Sequence, residues 1–432
     1  MNMMSSSDEI DVPPFFLCPI SLEIMKDPVT ISTGITYDRE SIEKWLFNGK
    51  NKTCPVTKQP LSSDSIDLTP NHTLRRLLQA WCTMNASHGI ERIPTPKPPA
   101  DKNQITKLLK DAYHSPLSQI KSLRRLKSIA SGSETNKRCM EAAGAVEFLA
   151  SLIKNSSNNN KNNEFESHNN PNEEEGFDLK TSAEDEALSI LHDLHVSEGG
   201  LKTLLGFKNG EFIESLTRVM QKGVYESRVY AVFLLKSMCE VAESVQMLHL
   251  RTELFVELVH VLNDQISQKA SKAALQTLIQ VCPWGRNRIK AVEAGAVSVL
   301  IELLLDCKER KPCEMMLVLL ECLCQCAEGR AELLSHGAGL AIVSKKILRV
   351  STLVNDRAVR ILLSVSRFSA TPGVVQEMLR LGVVAKLCLV LQVDSGNKAK
   401  EKAREILKLH ARVWRDSPCI PSSLLSSYPT YV

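Results

Sequence analysis

Two hydrophobic patterns divide the chain. Between residues 13 and 84 the apolar positions come in short runs broken by Gly, Pro and Asp; from about 102 to 415 they follow the spacing of helices with one buried face. The helical part repeats itself. A Gly followed by an apolar amphipathic run occurs as GAVEFLASLIK at Gly144, GEFIESLTRVM at Gly210, GAVSVLIELLL at Gly295, GAGLAIVSKKIL at Gly337 and GVVAKLCLVLQ at Gly382, at intervals of 66, 85, 42 and 45. RTELFVELVHVL, from Arg251, supplies the unit missing from the interval of 85. A second track, Leu or Ile two residues before a variable position and an apolar residue after it, puts that variable position at Ser128, Asp193, Ser237, Gln280, Cys322, Ser364 and Lys408. Its spacings are 65, 44, 43, 42, 42 and 44.

A helical repeat of this length predicts stacked units of two or three helices, the armadillo or HEAT class of α-solenoid, with a concave groove. One segment interrupts it. Residues 155–182 hold nine Asn and an acidic run with hardly any apolar side chain, so a disordered insertion is expected there. Residues 86–101 carry four prolines and read as a linker. Residues 1–11, Ser-rich and acidic, are expected to be disordered, and the Ser/Pro-rich tail 416–432 to be irregular. Within 12–85, Val29 and Ile31, then Ile35 and Tyr37, alternate around Gly34 and predict a hairpin. Asp38 is placed to cap a helix bearing Ile42, Trp45 and Leu46; Asn71 is placed to cap a second with Leu74, Leu77, Leu78 and Trp81. The expected fold class is mainly α: a small α+β module followed by an armadillo-type α-solenoid over 102–415.

Composition narrows the function classes. With 53 basic and 49 acidic residues the net charge is only +4 and no Lys/Arg block stands out, so nucleic acid is not an expected partner. No apolar run reaches the ~18 residues of a membrane span. The N-terminus lacks the basic and apolar regions of a signal peptide. Thirteen Cys lie scattered without paired spacing and are read as reduced thiols of a cytoplasmic protein.

The N-terminal module carries dense motifs: CPIS-x-E-x-M-x-DPV, then G-x-TYDR-x-SIE-x-W, then CP-x-T-x-x-PL, then PN-x-x-LR. Together they resemble the U-box family, and with the helical repeat they resemble plant U-box/armadillo E3 ubiquitin ligases. The resemblance implies a RING-like fold in which hydrogen bonds and ion pairs replace zinc. The residues agree: a cross-braced zinc pair needs about eight Cys/His ligands, and only Cys18, Cys54, His72 and Cys82 are at hand. Neither metal nor cofactor is expected. Glu23, Asp27, Asp38, Arg39, Thr57 and Asn71 are the candidates for the bracing network, and Cys18 for a small buried anchor of its loop. The resemblance further implies that a ubiquitin-charged E2 enzyme docks on a shallow apolar groove, matched here by Ile20 and Leu22, Trp45 and Pro55. Lys58 falls where many members place an arginine that donates to both E2 and ubiquitin; lysine keeps the charge without the planar fork.

The implied chemistry is acyl transfer from the E2 cysteine to a substrate lysine, promoted by positioning. Cys18 and Cys54 precede Pro in tight loops with no His nearby in sequence, so a covalent ubiquitin intermediate is not expected. A non-catalytic armadillo scaffold with a degenerate U-box is the alternative. A peptide receptor of the nuclear-import kind would use Asn at the variable positions, and none is Asn. The family resemblance also implies a protein substrate in the groove and a role in plant stress or immune signalling. Thr69-Pro70 and Thr95-Pro96 are minimal proline-directed phosphorylation motifs; Thr69 would bear on self-association if it lay in a U-box homo-oligomer surface.

Overall fold

A computed structural model describes residues 11–48, 51–61, 68–93, 100–162, 183–265, 267–393 and 396–414. The chain divides into two compact units: Met1–Phe148 with Asp193–His195, and Leu149–His192 with Val196–Val432.

The first unit opens with a small antiparallel sheet. Strands β1 (Pro28–Thr30) and β2 (Thr36–Asp38) pair in the register Val29↔Tyr37, turning at Gly34, whose φ of 81° lies where only Gly sits without strain. A third strand, β3 (Thr69–Pro70), pairs with the other edge of β1, giving the order β2-β1-β3. Two residues including a Pro carry no alternating pattern, so this strand is not legible in the sequence. Helix α1 (Arg39–Glu43) runs into a π turn over Lys44–Asn48, and α2 (His72–Met84) follows β3. Val29, Tyr37, Ile42, Cys18 and Cys54 are fully buried between these elements. Leu77, expected on the buried face of α2, is 52% exposed; Leu78 and Cys82 fill that face, and Trp81 meets Phe16 edge to face at 5.7 Å. The module also reaches further than expected. A 3₁₀ turn spans Ala86–His88, and Ile93 is buried in the same core with Ile90 packed against it. Isolated apolar residues next to prolines dock where the core has room. The rest of the expected linker, 94–99, lies outside the described residues, as does Thr95.

Helices α3 (Lys102–Asp111), α4 (Pro116–Ala130) and α5 (Glu134–Ala142) belong to the first unit. Helix α6 (Ala145–Asn162) continues into the Asn-rich segment, against the expectation of disorder from 155. Once nucleated, a helix extends by one hydrogen bond per residue, and modest formers such as Asn suffice. Residues 163–182, and the tail from 415, lie outside the described residues.

The later helices fall into threes. They are α7 (Ala183–Leu194), α8 (Glu198–Gly206), α9 (Glu211–Lys222), α10 (Tyr225–Val241), α11 (Ser244–Leu248) and α12 (Thr252–Asn263). Then come α13 (Gln268–Val281), α14 (Asn287–Glu293), α15 (Ala296–Asp306), α16 (Arg310–Leu323), α17 (Ala327–Ser335) and α18 (Gly339–Lys346). The series ends with α19 (Thr352–Phe368), α20 (Pro372–Arg380), α21 (Val383–Gln392), α22 (Asn397–Leu409) and α23 (Ala411–Trp414). Every third helix carries one variable position of the second sequence track: Ser237 on α10, Gln280 on α13, Cys322 on α16, Ser364 on α19 and Lys408 on α22. These helices pack on one another in that order. The repeat length recurs in the polar bonds between neighbours. Asn287 Nδ2 donates to the Met247 carbonyl at 2.7 Å, Lys346 to the Cys307 carbonyl at 2.8 Å, Ser364 to the Cys324 carbonyl at 2.8 Å and Lys386 to the Ser344 carbonyl at 2.5 Å. At the end of the series, fully buried Trp414 donates to the Val375 carbonyl at 3.0 Å.

The glycine track has two physical causes. Gly210, Gly295 and Gly382 cap their helices at φ of 91°, 83° and 68°. Gly337 has no positive φ; there the constraint is on Gly339, where a Cβ would overlap the Leu333 carbonyl oxygen. Gly295→Ala, with open space around it, is expected to cost about 1 kcal/mol of conformational strain. Gly339→Ala is expected to cost about 3 kcal/mol by forcing two turns apart. Denaturant unfolding of the two variants measures the difference; equal losses would contradict the distinction.

Candidate functional site

Two loops of the N-terminal module have the same backbone. In the first, the Cys18 N–H donates to the Glu23 carbonyl at 2.8 Å and the Leu22 N–H to the Cys18 carbonyl at 2.8 Å. In the second, Cys54 donates to Gln59 at 2.9 Å and Lys58 to Cys54 at 3.0 Å. Flanking bridges join Leu17 with Ile24 and Thr53 with Pro60. The fifth residue of each loop, Leu22 or Lys58, adopts a left-handed φ of about 60°. A Cys-Pro knuckle of this kind can turn its sulfur inward toward a metal. Here protein donors meet both sulfurs. The Asp38 N–H donates to Cys18 Sγ at 3.3 Å. Cys54 Sγ shares a 3.1 Å hydrogen bond with the Tyr37 hydroxyl and accepts from Thr33 Oγ1 at 3.5 Å and the Thr57 N–H at 3.4 Å. Among the described residues no group of three or more His, Cys, Asp or Glu is arranged to hold a metal ion.

Burial raises the Cys54 pKa, but the donors Thr33, Thr57 and Tyr37 outweigh it and bring the thiol down to about 6. The Tyr37 hydroxyl moves the other way, held protonated by burial and by its bond to Cys54. The low value does not make Cys54 a nucleophile, because its sulfur is wholly buried and already bonded.

A carboxylate joins these loops to the helices. Asp27 Oδ2 accepts from Arg39 Nε at 2.7 Å, and Oδ1 accepts from Arg75 Nη2. One oxygen therefore holds α1 and the other α2. Asp27 is itself oriented from below: Asp38 Oδ1 accepts from the Lys26 and Asp27 N–H groups at 2.7 and 2.9 Å. Asp38 sits at the N-cap position of α1 as expected, but its side chain makes no cap bond to that helix. Asn71 does cap α2, accepting from the Leu74 N–H at 3.0 Å, and its amide reaches the Thr30 and Thr36 hydroxyls at 3.5 and 3.4 Å.

Of the six bracing candidates, Asp27, Asp38, Arg39 and Asn71 meet in this web. Thr57 serves the second knuckle through its N–H. Glu23 is exposed and contributes its backbone carbonyl. Arg75 escaped the sequence reading although it closes the PN-x-x-LR motif; its signal is a charge beside the Leu74/Leu78 stripe. The Cys54–Tyr37 pair was missed because sequence spacing cannot bring the two together.

The apolar candidates lie around this frame. Leu22 is 74% exposed on the first loop and Ile20 is half-buried. Pro55 is half-buried on the second loop, beside Val56 at 51% exposure, a surface residue the sequence reading did not single out. Trp45 sits on the π turn. Its ring packs against the core, its Nε1 donates to the Thr53 carbonyl at 2.9 Å, and the Lys58 ammonium lies 5.8 Å from the ring centroid. Trp45 is therefore part core and part surface, and it ties the helix to the second loop. Thr69 is exposed on β3.

The sequence matches the family descriptions "U-box domain" over residues 12–87 and "Plant U-box protein ARM repeat region" over 104–430. It is 59% identical to E3 ubiquitin-protein ligase PUB22 of Arabidopsis thaliana over 98% of this chain and 99% of that one. It is 58% identical to E3 ubiquitin-protein ligase PUB23 of the same plant over 98% of each, and 38% identical to PUB24 over 98% of this chain and 97% of that one. A solved structure concerned with the cadherin–β-catenin interaction resembles it in fold. The TM-score is 0.59 at 12% identity, covering 83% of this chain and 62% of that one.

Two outcomes follow from the bracing. Asp27→Ala strands two arginines and is expected to cost the module about 3 kcal/mol, read as a large fall in the first thermal transition; a fall no greater than that of a surface Ala variant would contradict it. Cys54 has a folded pKa below its unfolded one, so its contribution is complete above about pH 9 and fades as pH falls toward 6. The melting-temperature gap between wild type and Cys54→Ser is expected to widen from pH 6 to pH 9. A flat gap would show that Cys54 stays a neutral thiol.

Proposed function

We propose a route for ubiquitin through this chain, which belongs to the plant U-box/armadillo-repeat family and is an E3 ubiquitin ligase. The charged E2 docks on Leu22, Ile20, Trp45 and Pro55, and the thioester carbonyl is held for attack by a lysine of a protein bound to the armadillo repeats. The single observation behind this is the pair of rigid knuckles that hold Leu22 and Val56 out into solvent. An apolar side chain 74% exposed on a braced loop, in a module that also carries a half-buried Trp, suits the anchor of a protein interface. The acyl group passes from the E2 sulfur to the lysine nitrogen, and the thiolate leaves with the E2. This chain supplies neither nucleophile nor base; it supplies orientation. Lys58, above the Trp45 ring, places a positive charge at the edge of that face.

The finer parts of the proposal rest on resemblance and exposure. They are action in the cytoplasm, a role in stress or defence signalling, self-association through the U-box, and phosphorylation at Thr69 and Thr95. The exposed hydroxyl of Thr69 is open to a kinase.

Reconstituted ubiquitination separates docking from folding. Leu22→Ala removes an exposed contact and is expected to leave melting unchanged while weakening E2 binding by at least ~2 kcal/mol, about thirtyfold. Trp45→Ala is expected to lose activity and stability together, because it also breaks the bond to Thr53. Full activity of Leu22→Ala with every E2 tried would rule out this face.

A further inference from the structure

One buried carboxylate of the module takes its hydrogen bonds from outside the sheet and knuckles. Glu43 ends α1 two residues before Trp45 and is 2% exposed. A carboxylate so enclosed needs donors. Its Oε2 accepts from the Glu134 N–H at 3.0 Å and its Oε1 from the Thr135 hydroxyl at 2.6 Å. Both residues open α5, where Ser133 already accepts from the Asn136 N–H at 3.1 Å. Glu43 thus caps a helix 91 residues further along the chain, placing negative charge at its positive end. Arg39, which holds Asp27, also lies 3.9 Å from the Glu43 carboxylate. A second contact joins the same two elements: the Arg138 guanidinium of α5 stacks 3.4 Å from the centroid of the Phe47 ring, on the π turn beyond Trp45.

We propose that Glu43 and Phe47 clamp α5 to the helix that bears Trp45, so that the E2-docking face and α3–α5 move as one body. Glu43 is then a positioning residue for ubiquitin transfer: it sets which lysines the charged E2 reaches. The inference rests on the E2 assignment above. Transfer by proximity is steep in distance, since a displacement of about 1 Å can cost roughly a hundredfold in rate. A docking face held in register with α3 and α4 selects among their exposed lysines, Lys102, Lys107, Lys110 and Lys121. A loose one spreads ubiquitin among them and onto other lysines.

The test compares full-length wild type with Glu43→Gln, Thr135→Val and Arg138→Ala; the last two leave the U-box sequence untouched. Two reactions are read: discharge of ubiquitin from the E2 onto free lysine, and the mass-spectrometric map of self-ubiquitinated lysines. Free-lysine discharge is expected to match wild type in all three, because E2 docking is intact. The share of ubiquitin on the four exposed lysines of α3 and α4 is expected to change by roughly tenfold, with Glu43→Gln intermediate because its amide still accepts one bond. An unchanged lysine map with normal discharge overturns the clamp. Discharge falling in step with transfer reduces Glu43 to a support of the fold and overturns it as well. A wild-type chain that discharges no E2 would remove the docking assignment itself, and the clamp with it.

Discussion

The ligase module depends on how the Asp27 carboxylate divides its two oxygens. One holds Arg39 and so α1; the other holds Arg75 and so α2. The three side chains are only 15–17% exposed, so their mutual attraction is offset by the loss of hydration. Such a triad is weak as a source of net stability and strong as a constraint on geometry. Two helices can be placed against a three-stranded sheet in many ways with similar apolar burial; few of them satisfy two guanidinium groups and one carboxylate at once. The Cys18 and Cys54 knuckles repeat the principle on a smaller scale, each converging on a sulfur that accepts hydrogen bonds from fixed donors.

That economy explains how so small a core can present apolar side chains to solvent. Leu22 and Val56 are exposed on loops whose backbones are closed by short hydrogen bonds. Held there, they do not collapse onto the module's own surface. The armadillo repeats solve the opposite problem. Each unit is held by neighbours about 40 residues away, through buried leucines and through carbonyl-seeking Asn, Lys and Ser side chains. Ser364, a variable position of the sequence track, is buried and serves that internal contact.

What could be read from the sequence followed from period and local chemistry. The glycine track and the variable-position track give the register of the repeats without a structure, because each unit meets the same steric demand at the same place. The hairpin around Gly34 and the cap at Asn71 are likewise local. The rest is set by tertiary pairing. Arg75 is one basic residue among many until Asp27 is seen across from it. Glu43 reads as an ordinary polar position on a short helix, yet it is buried by α5. Strand β3 exists because β1 offers an open edge. Helix α6 outlasts its apolar face because propagation needs no apolar partner at every step.

The separation of partners along the chain also sets an order of assembly. Asp27 and Arg75 lie 48 positions apart in the chain, and Glu43 and Thr135 lie 92 apart. Closing the first loop costs about as much entropy as a contact between neighbouring repeats, and the second only slightly more, so the order is set by when each partner is made. As the chain leaves the ribosome, the knuckles can form from their own few residues. The helix leading to Trp45 gains its link to α2 through Asp27 only after α2 has emerged, and its carboxylate Glu43 finds its donors only after α5. The N-terminal module thus reaches its fully braced form only once α5, a helix of the armadillo region, has been made.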